Sequence, residues 1–288
     1  MTEPSEMKLG LSTPVVMQIP GVASAWESSG TAADLALVAR AADDLGYDFL
    51  TCAEHVVVPA VDAATRGDTY WDPVATLGFL AAQTSRIRLA TSVVVLGYHH
   101  PLKIAKQYGT LDRLSSGRVV LGVGVGSLEA EFSLLEAPFV DRGARGDDAM
   151  RALRAALGQR EPAYDGEFYR FSGMSVNPWA QQSHLPMWVG GRTRRSLRRA
   201  VELAEGWMPF ALGRDELQSM LESIELPEGF EVVLSTGRAL DPTGDPDGTR
   251  RVLDGLREAG ATSATCTVAS RSAAHYCDQL VALRELAP

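Results

Sequence analysis

The sequence predicts an α/β fold, a single (β/α)8 TIM barrel with loop and hairpin insertions at the face where the strands end. Short apolar runs rich in β-branched residues alternate with amphipathic segments about eight times along the 288 residues. That length suits one barrel, since such barrels run to about 250 residues and beyond as one unit. No Pro/Gly/Ser-rich linker divides the chain, so residues 1–288 are expected to form one domain.

The clearest unit of the repeat lies within residues 88–127. The run 89–95 is nearly all apolar, which predicts a strand buried on both faces. Pro101 suits the first turn of a helix, and the apolar residues after it recur at helical spacing. A second apolar strand follows at 119–125. Two parallel strands joined by a helix make a βαβ unit.

The other elements follow the same alternation. Strands are expected at 8–12, 47–53, 187–191, 206–210, 231–237 and 262–268. Helices are expected at 31–45, 73–83, 141–157, 193–204, 215–224, 249–259 and 273–286. The repeat is interrupted at about 128–186, where 164–176 alternates polar and aromatic side chains around glycines and predicts an inserted β-hairpin.

An open doubly wound sheet is the competing fold. It would need a GxGxxG turn after its first strand. Gly122, Gly124 and Gly126 do not have that spacing, because residue 127 is a serine, and they lie in strand four or at its end. The barrel is therefore the preferred prediction.

Composition narrows the class of protein. A net charge of −9 argues against nucleic acid or an anionic membrane as the main partner. Cys52, Cys266 and Cys277 are odd in number and widely spaced, which favours reduced thiols over disulfides or a zinc site. Residues 1–8 lack the features of a signal peptide, and no apolar run approaches the ~20 residues of a membrane span. A cytoplasmic, soluble protein is expected.

Candidate site residues gather where predicted strands end, which is where barrels place their active sites. His55 follows strand two, and Ser92 and Val93 end strand three, while Gly126 and Ser127 follow strand four. A histidine there can donate to a bound ring or exchange a proton with it near neutral pH. The alternative is a histidine that only fixes its loop.

The segment VGGRT, which follows strand five and opens a helix, has the pattern of an anion site. Gly190 and Gly191 bare the backbone, the helix start supplies oriented N–H groups, and Arg192 and Thr193 add donors. The alternative is a tight strand-to-helix turn. A largely solvated face is expected for the arginines that follow, Arg194, Arg195, Arg198 and Arg199.

Other chemistries find less support in the sequence. His99 and His100 are adjacent and lack a cysteine or carboxylate at ligand spacing, so no metal site is expected. No GxSxG elbow of a serine hydrolase occurs. The three lysines, Lys8, Lys103 and Lys106, leave few candidates for Schiff-base chemistry.

The stretch LATSVVVLGYHHPLKIAKQYGTLDRLSSGRVVLGVGVGSLEAEF resembles the signature of the luciferase-like monooxygenase superfamily. More narrowly, it resembles the branch that uses the deazaflavin F420. The likeness extends through CAEHVVVP upstream, and through YDGEFYRFSG and LPMWVGGRTRRSLRRAVELAEGWMP downstream. The pattern is specific to the superfamily but does not by itself decide between F420 and FMN.

The resemblance implies that the cofactor ring lies at the strand ends, supported by a non-prolyl cis peptide that matches Ser92–Val93. It implies that Glu54 and His55 contact the cofactor and adjoin the reacting carbon, and that residues 190–193 bind the cofactor phosphate. Gly126 and Ser127, at the end of strand four, are also expected to bind the cofactor. Some F420-dependent sugar-phosphate dehydrogenases have a catalytic glutamate where this chain has Ser127, which puts that substrate class in doubt.

The leading hypothesis is an F420-dependent oxidoreductase that moves a hydride between the deazaflavin and a small organic substrate, with His55 as the catalytic residue. One alternative is an FMN-dependent luciferase-like monooxygenase. Another is a non-catalytic flavin- or deazaflavin-binding protein. The resemblance also implies a homodimer.

Overall fold

A closed barrel of eight parallel strands forms the centre of the molecule, as the computed structural model of residues 6–287 shows. The strands are β1 (Lys8–Ser12), β2 (Phe49–Cys52), β3 (Arg88–Thr91), β4 (Val94–Val95), β5 (Val119–Gly124), β6 (Tyr164–Asp165), β7 (Arg170–Phe171), β8 (Met187–Gly190), β9 (Gly206–Met208), β10 (Glu231–Leu240) and β11 (Ser263–Val268). Around the barrel the order is β3-β2-β1-β11-β10-β9-β8-β5, and the β3–β5 pairing closes it. The predicted TIM barrel is confirmed.

Helices surround the barrel. They are α1 (Ala32–Asp44), α2 (Ala63–Arg66), α3 (Pro73–Gln83), α4 (Pro101–Leu114), α5 (Glu129–Leu134), α6 (Arg142–Ala156), α7 (Arg194–Leu203), α8 (Arg214–Glu222), α9 (Pro246–Glu258) and α10 (Ala273–Leu286). Two 3-10 turns lie at Ala25–Ser29 and Leu96–Tyr98. Within residues 6–287 no helix is both long and apolar enough to cross a bilayer. The signal-peptide expectation rests partly on residues 1–5, which lie outside the described range.

Most predicted elements are confirmed to within a few residues, including the antiparallel β6–β7 hairpin. Strand three is split into β3 and β4 on either side of Ser92 and Val93. The helices α2 and α5 were not predicted, because four and six residues are too few to show a helical period. β10 was predicted to end at Gly237 but continues to Leu240, because a register shift between Ser235 and Ala239 absorbs the glycine, whose φ is +66°.

The lower half of the barrel is filled by large side chains. Phe49 and Trp188 pack edge to face with ring centroids 5.2 Å apart, and Arg88 lies over both rings. Arg88 also donates two hydrogen bonds to Glu231, at 3.1 and 3.2 Å. Lys8 pairs with the same carboxylate at 3.4 Å, at the end of the barrel where the strands begin. A Schiff-base role for Lys8 at the opposite rim is thereby excluded.

The start of β3 is held by the buried carboxylate of Asp43, in the last turn of α1. It accepts hydrogen bonds from the backbone N–H groups of Ser85, Arg86 and Ile87, at 2.6–2.8 Å, and from the Ser85 hydroxyl. Burial alone would raise the pKa of Asp43, but these hydrogen bonds outweigh it and lower the pKa. Asp43 thus fixes the strand that leads to Ser92.

We expect Asp43→Asn to lower the free energy of unfolding by about 2–3 kcal/mol in urea titrations at pH 7, because one carboxylate oxygen is replaced by a donor that faces N–H groups. The exposed neighbour Asp44 provides the control, and Asp44→Asn is expected to change stability by less than about 0.5 kcal/mol. Because the pKa of Asp43 is lowered in the folded state, its contribution is present above about pH 4 and is lost as pH falls through the lowered value. Equal stability of both variants at pH 7 would contradict this assignment.

Candidate functional site

A cavity of about 400 Å³ opens at the face of the barrel where the strands end. Seven of the eight barrel strands, or the residues directly after them, line it. Its walls combine apolar side chains with hydroxyls, among them Ser12, Thr51, Ser92, Thr265 and Thr267. None of the described residues that line it is ionisable. The cavity lies within the ~300–1,000 Å³ that small-molecule sites occupy.

Val93 lines this mouth, and its side chain lies against two glycines on the nearby strands β5 and β8. A Cβ on Gly124 would come within 2.7 Å of the Val93 side chain, and one on Gly190 within 2.8 Å. The peptide bond between Ser92 and Val93 is cis, as expected. Ser92, Val93 and Gly190 all line the cavity, so the structure brings three of the predicted site residues together.

Glu54 lies below the rim and is 9% exposed. One of its carboxylate oxygens accepts a hydrogen bond from the N–H of Val95 at 2.7 Å, and the other lies 2.7 Å from Nε2 of His99. Glu54 therefore ties the end of β2 to β4 and to the segment before α4. It does not line the cavity.

His55 follows β2, at the face of the barrel where the cavity opens, but is not among the residues that line the cavity. It is held by Glu131, a residue of α5 that is fully buried. His55 Nδ1 lies 2.7 Å from Oε2 of Glu131, and Tyr98 donates its hydroxyl proton to the same oxygen at 2.7 Å. The other oxygen accepts from the N–H groups of Val56 and Val57, at 2.6 and 3.2 Å. One carboxylate therefore joins the loop after β2, the turn after β4 and α5.

The charge state of Glu131 determines how the imidazole of His55 is oriented. Burial would raise the pKa of Glu131, but the hydrogen bonds from His55, Tyr98 and Val56 outweigh it and lower the pKa. An ionised carboxylate only accepts hydrogen bonds, so Nδ1 of His55 carries the proton. Nε2 is then left for another partner. The Tyr70 ring lies edge-on against the imidazole, with centroids 4.6 Å apart.

The predicted anion segment lies between β8 and α7. Thr193 is the N-cap of α7, and its hydroxyl accepts from the N–H of Ser196 at 3.2 Å. Gly191 and the exposed Arg192 lie just before it and do not line the described cavity. The arginines after it were predicted as a largely solvated face, but Arg199 is buried against Asp147 of α6.

Gly126 and Ser127 lie between β5 and α5, outside the lining of the cavity. Gly126 has a φ of +77°, and a Cβ there would come within 2.5 Å of the Phe132 ring. Ser127 is exposed. This pair therefore shapes the turn that brings α5 and its Glu131 to the rim.

Three residues of the site were missed from the sequence: Glu131, Tyr98 and His99. Glu131 belongs to the charged segment SLEAEF, which has the composition of a solvated loop. The available signal was Phe132, an apolar residue beside it, which is fully buried against Tyr98. His99 was considered only as a metal ligand, whereas it pairs with Glu54.

The fold and the site together define a barrel protein with a ligand-sized cavity at the strand ends, the position of the active site in barrel enzymes. The family model described as luciferase-like monooxygenase matches residues 7–235, so the chain belongs to that family. An uncharacterized protein of Mycobacterium tuberculosis is 34% identical over 265 residues, which cover 84% of this chain and 94% of that protein.

Solved structures show the same fold at lower identity. Monooxygenase RslO1 from Streptomyces bottropensis aligns with a TM-score of 0.78 at 22% identity, covering 97% of this chain and 98% of that one. The coenzyme F420-dependent tetrahydromethanopterin reductase from Methanopyrus kandleri aligns with a TM-score of 0.75 at 16% identity, covering 96% and 98%. Members of this family are oxidoreductases or monooxygenases, and both kinds share this barrel.

We expect Gly190→Ala to destabilise the protein by about 1–3 kcal/mol, because the new methyl group overlaps Val93. Adding Val93→Ala to that variant should recover at least half of the loss, which a double-mutant cycle in urea measures. Gly78→Ala in α3 is the matched control, since a Cβ there meets nothing within 4 Å. If the double variant is no more stable than Gly190→Ala, the overlap with Val93 is not the cause of the destabilisation.

Proposed function

We propose that this protein is an F420-dependent oxidoreductase that transfers a hydride between the deazaflavin and a small organic substrate. The observation that carries the proposal is the cavity at the strand ends, whose described lining has no ionisable group. The residues that line the cavity therefore provide no acid, base or charged nucleophile for catalysis. A site of this kind suits a bound organic cofactor, with the protein supplying placement and electrostatics.

The residues present fit a flat tricyclic ring. The Val93 side chain fills the space left by Gly124 and Gly190 and offers an apolar surface at the mouth on which a ring can lie. Hydroxyls such as those of Ser12 and Thr265 can donate to ring heteroatoms. When bound, F420 would supply the hydride donor or acceptor.

His55 is the residue of this chain proposed to handle the proton that accompanies the hydride. Glu131 holds its Nδ1–H, which leaves Nε2 free to accept a proton from the substrate or return one to it. Because Glu131 is buried and also fixed by Tyr98, the imidazole is held by a rigid partner. Glu54 is proposed to act on the cofactor through the Val95 backbone that it fixes.

The arginines at the start of α7 favour F420 over FMN. F420 has a polyglutamate tail in addition to a phosphate, and the exposed Arg192 has no carboxylate within ion-pair distance among residues 6–287. Arg194 contacts Ser219 rather than an acid. These two side chains are proposed to meet the anionic tail where it leaves the mouth. An FMN-dependent monooxygenase is the alternative, since the same cavity would also take an isoalloxazine ring.

A titration of the apoprotein with F420 and separately with FMN, followed by tryptophan fluorescence and calorimetry, tests the cofactor. We expect F420 to bind at least about tenfold more tightly than FMN, a difference of about 1.4 kcal/mol. Arg192→Gln should weaken F420 binding more than FMN binding, and Arg198→Gln, an exposed arginine in the following helix α7, is the control. Tighter binding of FMN would contradict the hydride-transfer proposal and support the FMN-dependent monooxygenase instead. If neither F420 nor FMN binds, the proposal is wrong.

Substitution of His55 and its partner tests the proton path. With the carbonyl compound that oxidises reduced F420 fastest in a screen, His55→Ala is expected to lower kcat by about 10²–10³-fold, as loss of a general acid–base does. The Kd for F420 should stay within about threefold. Glu131→Gln should lower kcat by about tenfold because the imidazole loses its acceptor. Glu129→Gln, exposed on the same short helix, is the control. Unchanged turnover in His55→Ala would exclude His55 from the reaction.

A further inference from the structure

A second cavity, of about 520 Å³, lies on the outer side of the barrel between α8 and α9. Its inner wall is apolar and includes Leu234, which points outward from β10, together with Leu217, Val252 and Leu256 from the two helices. We refer to this cavity as the α8–α9 groove. Its area is mostly contributed by apolar atoms, which suits a hydrocarbon chain or ring.

The α8–α9 groove adjoins the cavity at the mouth. Both are bounded by Pro209, Phe210, Ser235 and Gly237, which follow β9 or lie near the bulge of β10. Phe210 is 53% exposed although it is a large apolar residue, and it stands at the boundary between the two cavities. A ligand that lies in the groove can therefore reach the mouth past the Phe210 ring.

The groove remains open because α9 carries a glycine on the side that faces it. Gly255 lines the groove, and a Cβ at this position would meet nothing within 4 Å. Glycine inside a helix is destabilising relative to alanine, because it loses more conformational freedom on folding. Alanine would also fit at position 255, so packing between α8 and α9 does not require the glycine.

The charged side chains that line the groove are both positive. Arg214 and Arg251 are its two charged lining residues, and no described lining residue is acidic. Arg214 already pairs with Glu258 at 2.7 Å. Arg251 is exposed and has no carboxylate within 4.0 Å among residues 6–287, whereas the adjacent Arg250 pairs with Asp247 at 3.1 Å. On a chain with a net charge of −9, an unpaired arginine over an apolar groove is suited to an organic anion.

We propose that the α8–α9 groove binds an amphiphilic organic anion, a carboxylate with an aliphatic or aromatic body, as the substrate class of this enzyme. The apolar body lies along Leu234 and Leu256, the carboxylate pairs with Arg251, and the far end passes Phe210 into the mouth. The inference deepens the proposed function and rests on it for the role of substrate. Occupation of the groove by such an anion does not depend on the cofactor.

The test is a binding measurement on the apoprotein with a fluorescent apolar anion, 1-anilinonaphthalene-8-sulfonate, and its displacement by octanoate, octan-1-ol or octylammonium. We expect one bound probe per chain, and displacement by octanoate about tenfold more effective than by the alcohol, because only the carboxylate can form an ion pair with Arg251. Gly255→Leu should abolish probe binding by filling the groove. Arg251→Gln should weaken binding of the probe and of octanoate by about five- to tenfold, with little effect on octan-1-ol.

Arg250→Gln is the matched control, because Arg250 neighbours Arg251 in α9 and does not line the groove. The proposal would be overturned if the probe does not bind, or if it binds fully to Gly255→Leu. It would also be overturned if all three competitors displace the probe equally, or if the two arginine variants weaken binding equally. Thermal unfolding of each variant shows whether it is folded, and if Gly255→Leu is not, Gly255→Val takes its place. Because these titrations contain no cofactor, they fail or succeed independently of the F420 and FMN titrations.

Discussion

The site depends on one constraint, the size of the side chains that point into the barrel. Inward-facing residues alternate along each strand, and on β2 and β8 they become smaller toward the end of the strand. Phe49 is followed by Thr51 on β2, and Trp188 is followed by Gly190 on β8. The lower barrel is consequently filled, while the rim surrounds a cavity of about 400 Å³. The same closed sheet supplies both a packed core and a binding site.

Buried carboxylates then give the rim its shape. Glu54 and Glu131 each accept from backbone N–H groups and from a histidine ring, so that their charge is hydrogen-bonded inside the protein. Burying a carboxylate costs several kcal/mol unless such hydrogen bonds compensate the loss of hydration. Removing one partner leaves a buried charge without that compensation and destabilises the fold. Each glutamate therefore links segments that are distant in the chain, and His55 is oriented as part of one such link.

The sequence predicted what depends on local pattern and missed what depends on distant contacts. The strands and long helices follow periodicity, and the positions of Ser92, Val93 and Gly190 at the rim follow from where strands end. Glu131 was missed because its burial is produced by partners 33 to 76 residues away, at Tyr98 and His55. The α8–α9 groove was missed for a related reason: a gap between two helices has no signature within either helix.

The order of strands around the barrel relates the proposed roles to one another. In the ring of eight, β2 and β9 are separated by three strands in either direction, so they lie across the barrel from each other. His55 follows β2, and Phe210, at the inner end of the α8–α9 groove, follows β9. The arginine-rich start of α7 follows β8, next to β9. In the proposed reaction, a substrate that enters past Phe210 would therefore come from the side of the barrel opposite His55, and Val93, which follows β3 next to β2, would support the cofactor ring on the His55 side.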